Sequence, residues 1–221
     1  MPPAIAVTLL VVVSVALAAA TPAILRRLPE PENAEDKLPY SRLATPGFAA
    51  AVGVTSLLAG LVVVLTTPAA HWIGWLALSH VGVLSAAVDL RTTYLPRSLS
   101  HLSWALAGAG AVVAAVAAAD AGLAGRAVVA ALALGMFFFF AWRITRGGIG
   151  FGDVRLMLAV GAVSGLESWS LVMGAALAGT VIGALWGIVH QVVARKREFP
   201  YGPALLAGPF VALAAQALLA R

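Results

Sequence analysis

Asp89 and Asp153 stand apart from the other acidic residues of this 221-residue chain, nine in all. Glu30, Glu32, Glu35, Asp36 and Glu198 fall in polar loops, and Asp120 and Glu167 fall at expected turns. Asp89 and Asp153 each sit where a long apolar run meets a polar joint. A charge at the edge of hydrocarbon is costly, so such a residue marks a functional site and calls for a partner. Each aspartate is the natural partner of the other. Two carboxylates close together in a low-dielectric site resist ionising together, so one holds a proton while the other stays charged. A pair of that kind is the aspartic protease arrangement. The ionised acid takes a proton from water as the water attacks a peptide carbonyl, and the protonated acid donates to the developing oxyanion or amine.

Other chemistries find less support. The chain has no cysteine, which excludes a disulfide scaffold, thiolate zinc sites and a cysteine nucleophile. No H-E-x-x-H helix is present. His71, His80, His101 and His190 are scattered and read as packing or interface polarity. The expectation is therefore no metal and no cofactor. A proton- or cation-coupled transporter using the same two acids as a relay remains an alternative, although no convincing internal repeat joins the two halves.

Asp153 ends the run Gly147-Gly148-Ile149-Gly150-Phe151-Gly152-Asp153, followed by Val154-Arg155-Leu156. Glycine lacks a Cβ, so Gly150 and Gly152 let main chain approach a second chain or a ligand closely. The structural reading of Asp153 is a helix N-cap before Val-Arg-Leu-Met-Leu.

The elements that position these acids are membrane helices. The chain is 62% hydrophobic and 10% charged, with mean hydropathy +0.98, far from a soluble globular domain. The reading is an all-α polytopic membrane protein. Eight apolar stretches suit a bilayer crossing, at roughly 4 to 24, 46 to 66, 70 to 88, 99 to 119, 124 to 142, 153 to 166, 168 to 192 and 203 to 220. The sixth is the shortest. Residues 1 to 45 read as an N-terminal helix with a short cytoplasmic loop, and 46 to 221 as the helical membrane domain. Arg26-Arg27 follow the first apolar run, which favours an anchor with its N-terminus outside over a cleaved signal.

That orientation places the joints 25 to 45, 89 to 98, 143 to 155 and 193 to 202 in the cytoplasm. They hold Arg26, Arg27, Lys37, Arg42, Arg91, Arg97, Arg143, Arg146, Arg155, Arg195, Lys196 and Arg197, which is 12 of the 14 basic residues. The positive-inside rule supports the arrangement. Two crossings separate Asp89 from Asp153, so both fall on the same membrane face. The net charge of +5 therefore reflects topology, and no basic block with interleaved aromatics points to nucleic acid.

Three further patterns read as packing. Gly179, Gly183 and Gly187 recur every fourth residue, which allows close helix approach in lipid. Phe137 to Phe140 suit lipid contact. Trp72, Trp75, Trp104, Trp142 and Trp169 lie near span ends, as interfacial anchors do.

Gly150-Phe151-Gly152-Asp153-Val154-Arg155-Leu156, with Gly161 and Gly165 beyond it, resembles the G-x-G-D-V-K/R-L segment of type IV prepilin peptidases. Asp89-Leu90-Arg91-Thr92-Thr93-Tyr94-Leu95-Pro96 resembles their first aspartate motif, and Pro200-Tyr201-Gly202-Pro203 their late P-F/Y-G-P element. Arg27-Leu28-Pro29 resembles their early R-L-P. The resemblance implies a membrane aspartic endopeptidase with Asp89 and Asp153 as catalytic pair and Gly150, Phe151, Gly152 and Pro96 shaping the site. It implies a prepilin or pseudopilin substrate, cleaved at its leader on the cytoplasmic side of a bacterial inner membrane. A presenilin-like protease shares G-x-G-D but not the other elements. Two departures matter. Family members carry Asp or Asn after the motif proline, where this chain has Arg97. Bifunctional members add a cysteine-rich cytoplasmic domain linked to methyl transfer, where this chain has a loop of about 20 residues without cysteine, so the resemblance leaves methyl transfer open.

Overall fold

The computed structural model describes residues 2–30, 37–146, 148–194 and 199–219. Gly147 and the loop charges Glu32, Glu35, Asp36, Arg195, Lys196, Arg197 and Glu198 lie outside the described residues, as does Arg221. The described residues form eight long helices with no strand. They are α1 (Pro3–Arg27), α2 (Pro46–Thr66), α3 (Ala69–Thr92), α4 (Arg97–Ala118), α5 (Ala121–Thr145), α6 (Phe151–Glu167), α7 (Trp169–Ala194) and α8 (Gly202–Leu219). In lipid every backbone N–H and C=O must find a partner within the segment, which is why runs this apolar fold as helices. Seven are long and apolar enough to cross a membrane. The eighth, α6, has 17 residues, about 26 Å at 1.5 Å per residue.

Local chemistry sets the ends. Thr45 Oγ1 accepts from the Phe48 N–H and Pro46 follows at the first helical position, so α2 starts where the apolar run does. Asp120 Oδ1 accepts from the Gly122 N–H at the start of α5. Thr93 stops α3 in a left-handed conformation, φ 60°. The chain then runs extended to Pro96, whose fixed φ opens α4.

Burial separates the helices into two sets. The most hydrophobic window of α3 is 78% buried, against 22 to 44% for the other six candidate spans. On α6, Met157, Val160, Val163, Ser164 and Leu166 are fully enclosed. The two helices carrying Asp89 and Asp153 thus form the centre, and the rest wrap them. Glycine makes the closest approach possible: a Cβ at Gly161 or Gly165 would strike the backbone of α5 near Ala130 and Ala127. The glycine stripe of α7 faces the entry to α8, with Gly179 against Leu205, Gly183 against the Tyr201 ring and Gly187 against the Phe199 ring.

α3 is not a uniform helix. Ala77–Gly82 is a π-helical insertion, with His80 buried inside it. Ser79 donates its hydroxyl proton to Trp75 O at 2.8 Å, so the 2.9 Å contact with His80 Nδ1 makes that nitrogen the donor. His80 Nε2 then accepts from Ser14 Oγ of α1 at 3.1 Å. This neutral, fully used imidazole ties α1 to the centre, in keeping with the expected packing role of the histidines.

Trp75 and Trp104 depart from the interfacial expectation. Trp75 is wholly buried and donates to Glu167 Oε1 at 2.9 Å. Trp104 is partly buried and donates to the Arg155 carbonyl at 2.9 Å. A partner inside the bundle for each indole N–H removes the reason to seek the membrane surface. Trp169 remains 49% exposed at a helix end. Phe137, Phe139 and Phe140 face outward while Phe138 is buried.

Candidate active site

α3 and α6 run antiparallel, so the end of one meets the start of the other. Asp89 lies in the last turn of α3 and Asp153 in the first turn of α6, and each is 5% exposed. Both line one cavity of about 510 Å³, together with Pro29, Glu30, Tyr40, Thr93, Tyr94, Leu95, Pro96, Arg97, Gly150, Phe151, Gly152 and Arg155. The two carboxylates interact electrostatically across it. All six residues expected from sequence to form the site, Asp89, Pro96, Gly150, Phe151, Gly152 and Asp153, therefore meet in one place.

Each acid is pinned in the same way. Asp89 Oδ2 accepts the Gly202 N–H at 3.0 Å, from the first residue of α8. Asp153 Oδ2 accepts the Gly150 N–H at 3.1 Å. Helix starts present unpaired N–H groups and a positive dipole end, so both carboxylates rest against backbone that favours negative charge. Neither Oδ1 atom has a hydrogen-bond partner among the described residues. One oxygen of each acid is held and the other is left for chemistry.

Asp153 differs from the N-cap expectation in one respect. Gly150 is the N-cap and α6 begins at Phe151, two residues before the expected start. Asp153 stands at the third helical position and reaches back to the Gly150 N–H while its own N–H donates to Gly150 O at 3.0 Å. The carboxylate caps the helix from inside and still faces the cavity.

Leu95 explains why glycine is needed twice. A Cβ on Gly152 would lie 2.9 Å from Leu95 Cβ, and one on Gly202 would lie 3.3 Å from both Leu95 Cδ atoms and 2.8 Å from Asp89 Oδ2. The extended segment after α3 thus wedges between the starts of α6 and α8. Tyr40, in a 3-10 turn at Tyr40–Leu43, is 2% exposed, and its N–H donates to Glu30 Oε1 at 2.8 Å. Burial, reinforced by the Glu30 carboxylate, pushes its phenol up to about 12. It therefore stays protonated beside the acids at neutral pH.

Gly202, Leu95, Tyr40 and Glu30 were not singled out as site residues from sequence. Gly202 was visible within Pro200-Tyr201-Gly202-Pro203, yet its partner Asp89 is 113 residues away, and no local pattern encodes that distance. The joint from residue 26 to 45, expected only as a short cytoplasmic loop, supplies Pro29, Glu30 and Tyr40 to the cavity wall.

A second, larger cavity of about 1150 Å³ lies between α2, α3 and α8. Its walls are apolar, including Phe48, Val52, Leu58, Val83, Leu206 and Phe210, with Arg42 and Arg91 as the charged members. It adjoins the first, because Leu90 and Pro203 line it next to Asp89 and Gly202. The acids, however, lie in the smaller cavity, which is the one able to do chemistry. Among the described residues no cluster of three or more His, Asp or Glu side chains is placed to hold a metal ion.

The sequence model of the type IV leader peptidase family matches residues 75–188, just over half of the chain and including both aspartates. The prepilin leader peptidase/N-methyltransferase of Bacillus subtilis (strain 168) is similar, at 33% identity over 72 residues. That stretch covers 31% of this chain and 28% of the Bacillus protein. No solved structure matches.

Proposed function

This chain belongs to the type IV leader peptidase family, and from that premise we propose that it is an aspartic endopeptidase that removes the leader from prepilins or pseudopilins. The observation that carries the reading is the paired environment of the acids. Two buried carboxylates face one small cavity, each fixed through Oδ2 by a helix-start amide and each presenting an unengaged Oδ1.

In the proposed reaction the two Oδ1 atoms share one proton and flank a water molecule. The ionised acid removes a proton from that water as its oxygen bonds to the scissile carbonyl carbon, and the protonated acid delivers its proton to the carbonyl oxygen. The tetrahedral species collapses as the second acid takes back a proton from one of its hydroxyls and the C–N bond breaks, the amine leaves with a proton from the first acid, and the dyad returns to its singly protonated form. The Gly150 and Gly202 amides keep the acids in place through the cycle, so little reorganisation accompanies the proton transfers. The protonated Tyr40 phenol adds a neutral hydroxyl to the same wall.

The substrate's apolar helix would lie in the larger cavity between α2, α3 and α8, whose apolar walls lead to Asp89. The peptide preceding it would then cross the small cavity. The concentration of basic residues on the joints flanking both acids supports a cytoplasmic active site in the inner membrane. Co-expression with candidate prepilins, reading the N-terminus of the product by mass spectrometry, tests the reading. A new N-terminus directly before the apolar helix is expected; intact prepilins across the set would overturn it.

A further inference from the structure

The wall of the aspartate cavity carries a third buried group that holds a proton. Tyr40 is 2% exposed and belongs to the hydrophobic core with Leu25 and Leu43, yet it lines the cavity. The 3-10 turn that presents it, Tyr40–Leu43, packs against α1 and α3. Its backbone is fixed from two sides: Glu30 Oε1 accepts the Tyr40 N–H at 2.8 Å, and the Arg42 N–H donates to Pro39 O at 3.0 Å. The ring is thus held in place by packing and by its own main chain.

The hydroxyl of that ring has no hydrogen-bond partner among the described residues and is not sealed from the cavity. It lies within electrostatic reach of the Glu30 and Asp89 carboxylates, the Tyr94 phenol and the Arg155 guanidinium. All four of those residues line the same cavity, so the hydroxyl faces into it. Burial first, and then Glu30, keep the phenol protonated at neutral pH. A donor enclosed without an acceptor is costly, and the cost is removed when an acceptor from outside the chain comes within reach.

The reaction brings such an acceptor. The scissile carbonyl must sit beside Asp89 and Asp153, and its oxygen gains negative charge as water adds to the carbon. A neutral donor fixed beforehand stabilises that charge without reorganising. The Gly150 and Gly202 amides are already occupied by the two carboxylates. We propose that Tyr40 is a third catalytic residue, its phenolic O–H donating a hydrogen bond to the scissile carbonyl oxygen as the tetrahedral species forms. The proposal rests on the endopeptidase reading above and deepens it. It leaves the proton balance unchanged, because the phenol keeps its O–H bond throughout and the protonated acid still supplies the proton to that oxygen. The bond is strongest in the tetrahedral species, so it acts on kcat rather than on substrate binding.

The test uses the purified full-length chain in phosphatidylcholine vesicles and a prepilin that it cleaves. Tyr40→Phe keeps the ring and removes the oxygen. Its kcat is expected to fall about tenfold, with KM within about twofold of wild type and an unchanged melting curve. A peptide inhibitor with a secondary hydroxyl in place of the scissile carbonyl should weaken by about the same factor against this variant. 4-Aminophenylalanine at position 40 restores a neutral donor and should recover most of the rate. 4-Methylphenylalanine fills the same space without a donor and should stay slow. Wild-type kcat in Tyr40→Phe would overturn the proposal, as would a higher KM at unchanged kcat, which would make the phenol a docking contact. If Tyr40→Phe does not fold, equal rates for the amino and methyl variants would overturn it instead. Cleavage of no substrate by the wild-type protein would sink the endopeptidase reading itself, a result distinct from any of these.

Discussion

The two central helices are treated in opposite ways at their two ends. At the end away from the aspartates, Glu167 of α6 accepts from Trp75 Nε1 at 2.9 Å and sits 2.8 Å from His71 Nδ1, both of α3. Arg126 of α5 then donates to the carbonyls of Gly165, Leu166 at 2.7 Å and Glu167 at 3.1 Å, satisfying the last turn of α6. At the aspartate end no hydrogen bond joins the same helices among the described residues. They flank a cavity, with Asp89 held by the first amide of α8 and Asp153 by the N-cap amide of its own helix. The far end is a clasp built from side chains, and the near end is an opening built from glycine amides. A clasp fixes the register of α3 against α6, so the distance between the acids is set without a bond that would have to break during a reaction. The difference assigns stability to one end and chemistry to the other.

Substitutions at each end separate the two roles. Apart from the acids themselves, the largest effect on activity is expected from Gly202→Ala, whose Cβ would sit 2.8 Å from Asp89 Oδ2. The amide must withdraw and Asp89 must turn, so leader cleavage should fall about tenfold to a hundredfold. Thermal stability in detergent should change little, which a melting curve checks. Gly152→Ala presses on Leu95 rather than on an acid, and about a fivefold loss in kcat is expected, since a small misplacement near a reacting group is costly.

The far end should answer in reverse. Glu167→Ala leaves the buried Trp75 N–H and His71 without their acceptor, a cost of about 1–3 kcal/mol that appears as a lower melting temperature. Glu167→Gln keeps an acceptor for the indole and should recover most of that loss. Cleavage at a temperature where the protein remains folded should fall less than for Gly202→Ala. Smallest of all is Asp120→Ala at the exposed start of α5, which removes one capping bond. It should cost about 0.5–1 kcal/mol of stability and leave cleavage unchanged. A Glu167 variant that lost activity but kept its melting temperature would break the division of roles.

Much of this was legible in the chain. The eight apolar runs became eight helices, with α2 at the expected residues 46 to 66, because lipid leaves an apolar run little choice and Thr45 and Pro46 mark the start chemically. Asp89, Asp153, Pro96 and the glycines could be read as a site because each sits in a local pattern that a helix end explains. The clasp could not. Glu167 looked like a turn residue and Trp75 like a membrane anchor, and their 92-residue separation carries no sequence signal. The role of Tyr40 was hidden similarly, since its loop is polar and its burial depends on packing beside α3.

The pairing of Asp89 with Asp153 is tested most directly by single-turnover cleavage of one prepilin by the wild-type protein, Asp89→Asn and Asp153→Asn, each checked for an unchanged melting curve. Asparagine preserves shape and hydrogen-bond reach but can neither take nor release the shared proton. A dyad requires both variants to lose about a thousandfold or more in rate while remaining folded. Cleavage near the wild-type rate by either one would contradict it.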